Sequence, residues 1–230
     1  MAKIKYSALV SDMRNKLNGS VLSKNRYGSY VRNKVTPVNP QTAYQQEVRQ
    51  RLGSLSQSWR ELTVAQRNGW SERAKESPFT DIFGDTKTLD GKAFYIKLNS
   101  NLLSIGEQPI NVAPQMVEMP SFNIIGASAS QAGGVTITTD IQAPPAGFEL
   151  KVFATPALPA QINFVKNRYR DIGTAPLEDG DAILTTQYDA RFGALQTSDI
   201  GSRVHYRVVL VSTTTGQMGV PVGTDVIVVA

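Results

Sequence analysis

The sequence predicts an α+β chain in several parts: an extended N-terminal arm, a small helical module and a C-terminal all-β body. Three observations predict it. The hydrophobic period changes from helical to alternating near residue 120. The stretch "GEQPINVAPQMVEMP", residues 106–120, has three prolines and no period, and it separates the two patterns. The charge is also divided. Residues 1–77 hold 14 Lys and Arg against 5 Asp and Glu, a net of +9, while residues 78–230 carry a net of −4. The expected boundaries are 1–38 for the arm, 39–106 for the helices, 107–120 for the linker and 121–230 for the β body.

Residues 1–38 read as extended. Asn18-Gly19 lies between stretches of strand character, the signal of a type I′ hairpin. Gly28 and Ser29 break any helix, and Tyr30 and Val31 follow among charges. A hairpin with so little apolar surface is marginal alone in water, so the arm needs a surface to lie against. Arg14, Lys16, Lys24, Arg26, Arg32 and Lys34 run along it, interleaved with Tyr27 and Tyr30. These eight residues are the expected partner-binding set. Cations neutralise phosphates or acidic protein surfaces, and tyrosines stack on bases.

The helical signal starts at Asn39, read as a cap, with Pro40 in the first helical position. Tyr44, Val48, Leu52, Leu55, Trp59 and Leu62 follow at spacings of 4, 4, 3, 4 and 3, one apolar stripe. Thr63 and Gln66 form a capping-box pattern, so a second helix starts at once and carries Trp70 and Ala74 to just before Pro78. "FTDIFGDTKTLDG" reads as a loop with at most one short strand. A third helix follows Asp90, with Phe94, Leu98 and Leu102 at every fourth residue, and Gly106 closes it. The expected helical core is Tyr44, Val48, Leu52, Leu55, Trp59, Leu62, Trp70, Phe94 and Leu98.

From Ser121 the chain alternates. The candidate strands are "FNIIGASAS", "GVTITTDI", "FELKVFATP", "INFVKNRYRDIG", "AILTTQY", "RVHYRVVLVS" and "VPVGTDVIVVA". In the sixth, Val204, Tyr206, Val208 and Leu210 point one way; His205, Arg207 and Val209 point outward. Seven short strands in 110 residues with turn chemistry between them predict an immunoglobulin- or fibronectin-III-like sandwich. The absence of cysteine favours the fibronectin-like variety, and an up-and-down barrel is the alternative.

No cysteine means no disulfide, no thiolate metal site and no cysteine nucleophile. The single histidine, His205, is expected at the surface, and a triad needs a base this chain can barely supply. "LEDGD" and "DTKTLD" are the densest carboxylate clusters; neither matches a calcium loop, and both read as turns. The expectation is no enzyme activity, no cofactor and no metal. No apolar run reaches the ~18–20 residues of a membrane span. The N-terminus lacks the continuous apolar stretch of a signal peptide.

The runs "VTPVNPQT", "LSQSWRELT", "AQRNGW" and "GKAFYIKLNSNLL" resemble a group of proteins encoded by tailed phages and prophages, including crAss-like phages. The resemblance covers residues 19–110; the sandwich matches by architecture, since these proteins often continue into an Ig-like domain. It implies a non-enzymatic structural protein of the virion, made in the host bacterial cytoplasm. A capsid-associated auxiliary or decoration protein is favoured over a head–tail connector or tail ring. The expected partners are major capsid, portal or ring subunits, many copies in a symmetric assembly, together with packaged DNA and with no membrane. The resemblance carries no catalytic residue. "SWRELTVAQRNGWSERAKE" also resembles two helices of an HMG box, over about twenty residues. The alternative function is therefore a DNA-binding, nucleoid-like or packaged protein that uses the basic N-terminal half.

Overall fold

The computed structural model describes residues 2–36, 38–81 and 83–230. The chain is α+β, with four α-helices and several antiparallel sheets among these residues. It divides into two compact units along lines other than the expected boundaries. Unit one is Met1–Arg49 with Pro78–Thr88, and unit two is Gln50–Ser77 with Leu89–Ala230.

Unit one is built on a four-stranded antiparallel sheet. Its strands are β1 (Ala2–Lys3), β2 (Asn15–Leu17), β3 (Ser20–Asn25) and β4 (Gly28–Asn33), in the order β1-β4-β3-β2. Leu17 faces Ser20, so Asn18 and Gly19 alone make the first turn, with Asn18 at φ +52°. The second turn is Arg26-Tyr27, and the Tyr27 amide donates to Asn25 Oδ1 at 2.9 Å. Two further short strands, β5 (Phe79–Thr80) and β6 (Thr86–Lys87), pair as a hairpin in the same unit. The sequence reading of this stretch as a loop missed that pairing. Among the described residues, Leu22 is the one buried apolar side chain of unit one.

Helix α1 (Ala43–Glu61) starts later than Asn39-Pro40 predicts. Gln41 sits at φ +49°, which a helix cannot include, and Thr42 Oγ1 accepts from the Gln45 amide at 3.3 Å instead. Asn39 Oδ1 accepts from Arg49 at 3.0 Å. The stripe on α1 also divides. Leu55 and Leu62 are buried and Trp59 packs beside them, but Tyr44, Val48 and Leu52 are exposed. Those three therefore leave the expected core. Periodicity shows that a face is apolar; it does not show how far along the helix a partner reaches.

In unit two, α2 (Val64–Glu76) opens on the Thr63–Gln66 capping box, formed in both directions. Helix α3 (Gly91–Ser104) ends at Gly106, φ +87°. Their core is aromatic. The Tyr95 ring lies 5.4 Å from Trp59 and 5.2 Å from Trp70, and Phe94 lies 6.1 Å from Trp70 on the other side. Helix α2 meets α3 at Gly91, where a Cβ would stand 2.4 Å from Ser71 Oγ. Residues 107–120 are irregular but not a free linker. Ile110, Ala113 and Met116 pack on the helical core, and the Trp70 indole donates to the Asn111 carbonyl at 3.0 Å. Buried Asn99 accepts from the Ile110 amide at 2.6 Å and donates to the Ile110 carbonyl at 3.2 Å.

The β body holds two four-stranded antiparallel sheets. One contains β7 (Ile124–Ser130), β8 (Gly134–Thr139), β11 (Leu177–Glu178) and β12 (Asp181–Ile183), in the order β11-β12-β8-β7. The other contains β9 (Phe148–Ala154), β10 (Arg170–Ala175), β13 (Arg203–Ser212) and β14 (Val222–Ile227), in the order β10-β9-β13-β14. Their inner faces share one core: Val135, Ile137 and Ala182 from the first, and Leu150, Val152, Val204, Tyr206, Val208 and Leu210 from the second. "AILTTQY" is not one strand. It is the end of β12 followed by helix α4 (Thr185–Phe192), whose Tyr188 plugs the core. "INFVKNRYR" is mostly a turn-bearing loop that enters β10 only at Arg170.

The outer face of β13 is covered toward its C-terminal end, contrary to the expected alternation, while Arg207 on the same face is exposed. Ile105, at the end of α3, packs on Val209 and Val211, with Phe153 beside them. Lys151 is buried on this face, 2.8 Å from Asp171 and hydrogen-bonded to Ser104. The turn after β13 closes on α3: Asn101 donates to the Gly216 carbonyl at 2.8 Å, and a Cβ on Gly216 would stand 2.3 Å from the Leu98 carbonyl oxygen. His205 is also buried rather than exposed, its amide donating to Thr155 Oγ1 at 3.1 Å.

Candidate functional site

Unit one carries a cleft of about 490 Å³ lined by Lys3, Asn25, Tyr27, Gly28, Tyr30, Phe79, Thr80 and Asp81. Local rules place its walls. The two-residue turn throws Tyr27 out of the sheet, and Gly28 behind it adopts φ +111° and leaves open space where a Cβ would be. Tyr30 stands in the row Ser23–Tyr30–Lys3. Phe79, on β5, meets Tyr27 edge-on with ring centres 6.5 Å apart.

An ion cluster forms the end of the cleft. Lys3 and Lys87 both donate to Asp81 Oδ2 at 2.5 Å, and Lys87 also donates to the Tyr27 carbonyl at 3.2 Å. The amides of Phe83 and Asp85 donate to Asp81 Oδ1 at 2.7 and 3.2 Å. The Lys3 ammonium, then Lys87 and those amides hold the Asp81 carboxyl well below the ordinary carboxylate range. Asp81 in turn holds the Lys87 ammonium above its usual value. The Asp81 side chain is only 3% exposed, and its carboxylate is engaged by the two ammoniums and two backbone amides.

The expected partner-binding residues all lie on this sheet or beside it. Pairing two residues along each strand puts the row Lys3–Tyr30 and the row Lys16–Arg32 on one face. Lys24 belongs to the opposite face, opposite Ser29. Arg26 lies over the Tyr27 ring, 5.0 Å from its centre. Arg14 pairs with Asp12 at 3.0 Å, and Lys34 follows β4. All six basic residues are exposed, while Tyr27 and Tyr30 are half-buried. Of the eight, the cleft takes only the two tyrosines.

Lys3, Phe79, Asp81 and Lys87 are the site residues that sequence reasoning missed. "DTKTLD" and its neighbours read as a turn, and nothing local ties Asp81 to a lysine 78 positions away. The available signal was indirect: an arm too poor in apolar residues to fold alone needs something beside it. Among the described residues no group of three or more His, Asp or Glu is placed to hold a metal ion, and no helix is long and apolar enough to cross a membrane. No protein-family model matches the chain, and no curated protein and no solved structure matches it.

Proposed function

We propose that this chain is a non-enzymatic structural component of a bacteriophage virion, in which unit one and its basic arm anchor it to neighbouring subunits. One observation carries the reading. Among the described residues, unit one buries a single apolar side chain, Leu22, while Leu9, Leu17, Val35, Val38, Phe79 and Phe83 remain exposed. Its charge is also one-sided, with 10 Lys and Arg against 4 Asp and Glu. A sheet with that much uncovered apolar surface and that much positive charge suits a partner's surface better than bulk water. The resemblance of residues 19–110 to tailed-phage proteins supports a virion as the setting. A capsid-associated auxiliary position is favoured over a connector or tail ring, because a basic anchor and a separate β body suit attachment to a shell.

The β body fits the same picture as a fibronectin-III-like sandwich. Lettered in chain order, β7, β8, β12 and β11 take the places of strands A, B, E and D, and β9, β13 and β14 those of C, F and G, with β10 as C′. That order separates the reading from an up-and-down barrel, in which each strand would pair with the next in sequence. In a symmetric particle, a modest contact repeated over many copies gives strong attachment. The test is deletion of residues 2–38 in a phage that encodes the chain. The truncated protein should keep its β body and vanish from purified particles; normal incorporation would sink the anchoring role.

A further inference from the structure

We infer that the cleft of unit one, with the cationic face beside it, binds single-stranded nucleic acid. The inference stands apart from the virion reading, since a shell-anchored subunit could bear such a site or lack it. Three rings, Tyr27, Tyr30 and Phe79, line one open cleft, and unpaired bases stack on such rings whatever their identity. The cations are placed for a backbone running away from it. Lys16 and Arg32 share the Tyr30 face, and Arg26 lies on Tyr27. The cleft's own carboxylate is masked: Asp81 carries two ammoniums and is almost fully enclosed, so it presents little negative charge to a phosphate. The other carboxylates of the β5–β6 turn and the arm are also matched, Asp85 by Lys5 at 3.8 Å and Asp12 by Arg14.

Single-stranded ligand is specified by shape. Tyr27 and Tyr30 are half-buried in the cleft walls and Phe79 stands exposed at its edge, so a base must leave its stack to reach the two tyrosines, and a duplex cannot offer one without unpairing. An acidic peptide would match the charge but has no use for three ring walls in one cleft. Nucleic acid is therefore the better fit.

The experiment titrates the full chain into labelled oligothymidylate of roughly 20 nucleotides at about 50 mM salt and reads fluorescence anisotropy. Binding should exceed that to a duplex of equal length. Tyr27→Ala and Phe79→Ala should each weaken it roughly 5- to 100-fold, while Tyr27→Phe and Phe79→Tyr keep it. Arg32→Ala should lower the salt slope by about 0.7. Because an alanine variant could loosen the hairpin, bromouracil-substituted oligonucleotide is also photocrosslinked to the unmodified chain. Adducts on Tyr27, Tyr30 or Phe79 support the site. No binding, duplex bound as tightly as single strand, alanine variants equal to the parent, or adducts only elsewhere would each overturn it.

Discussion

Unit one and unit two hold together by different means. Unit two buries Trp70, Tyr95 and Phe94 among its helices and Val152, Tyr206 and Leu210 between its sheets. Unit one buries Leu22 and relies on two tight turns and the Lys3–Asp81–Lys87 cluster. Burial of apolar area does not depend on the ionisation of a carboxylate, whereas an ion cluster is lost when its carboxylate takes up a proton. The contrast teaches that folded does not mean self-sufficient. Unit two can stand on its core, while unit one has a defined register but little to protect it from opening.

The largest effect should come from the core of unit two. Trp70→Ala removes a fully buried ring, its contacts with Phe94 and Tyr95, and the bond to the Asn111 carbonyl. The expected loss is about 3–5 kcal/mol, read as a fall in the urea midpoint followed by Trp59 fluorescence. Hydrogen exchange in β3 and β4 should not change. If those strands lose protection too, the two units fold as one and the comparison fails.

Next comes the ion cluster. Asp81 is held below its ordinary range, so its contribution to unit one is complete above about pH 4 and fades as acid protonates it. Lys87 is held above its ordinary range, so its share persists to high pH and fades only as the ammonium deprotonates. Hydrogen exchange followed from pH 7 downward should show β1, β5 and β6 opening below about pH 4 while β9 and β13 stay closed. Asp81→Asn should give the open pattern already at neutral pH. Equal acid loss in both units would show that the cluster is not what distinguishes them.

The same division explains what was legible in the sequence. Elements set by neighbours in the chain were readable: the Asn18-Gly19 turn, the Thr63–Gln66 box, the end of α3 at Gly106, and β13 from Arg203 to Ser212. Elements set by distant groups were not. Thr185, Thr186 and Tyr188 favour strands, yet they form α4, whose Tyr188 is buried in the core shared by the two sheets and donates to the Thr155 carbonyl at 3.3 Å. His205 alternates away from Val204 and Tyr206 as expected and is still buried, beside Thr155, whose Oγ1 accepts from its amide. One wall of the candidate cleft was visible as Tyr27 and Tyr30. The other, with Phe79 and Asp81, depends on a pairing that no local pattern encodes.

A smaller effect, of opposite sign, tests how tightly unit two is satisfied. The Tyr206 hydroxyl is buried without a hydrogen-bond partner among the described residues, and burial pushes its ionisation up. Tyr206→Phe deletes a desolvated polar atom and keeps the ring, so stability should rise by about 1 kcal/mol in urea unfolding. A fall instead would mean that the hydroxyl carries a bond in solution.

The smallest effect on stability should have the largest consequence for assembly. Leu17 and Val38 are 60% and 89% exposed in unit one. Leu17→Ser and Val38→Ser remove apolar surface that the isolated chain never buries, so its unfolding free energy should move by no more than about 0.5 kcal/mol. If that surface exists to be covered by a neighbour, the same changes should reduce incorporation into particles, read as copies per purified virion. Particles that take up the double variant at the normal level would remove the apolar half of the anchor and leave only its charge. Particles that lose it would show that the missing core of unit one is supplied by its partner.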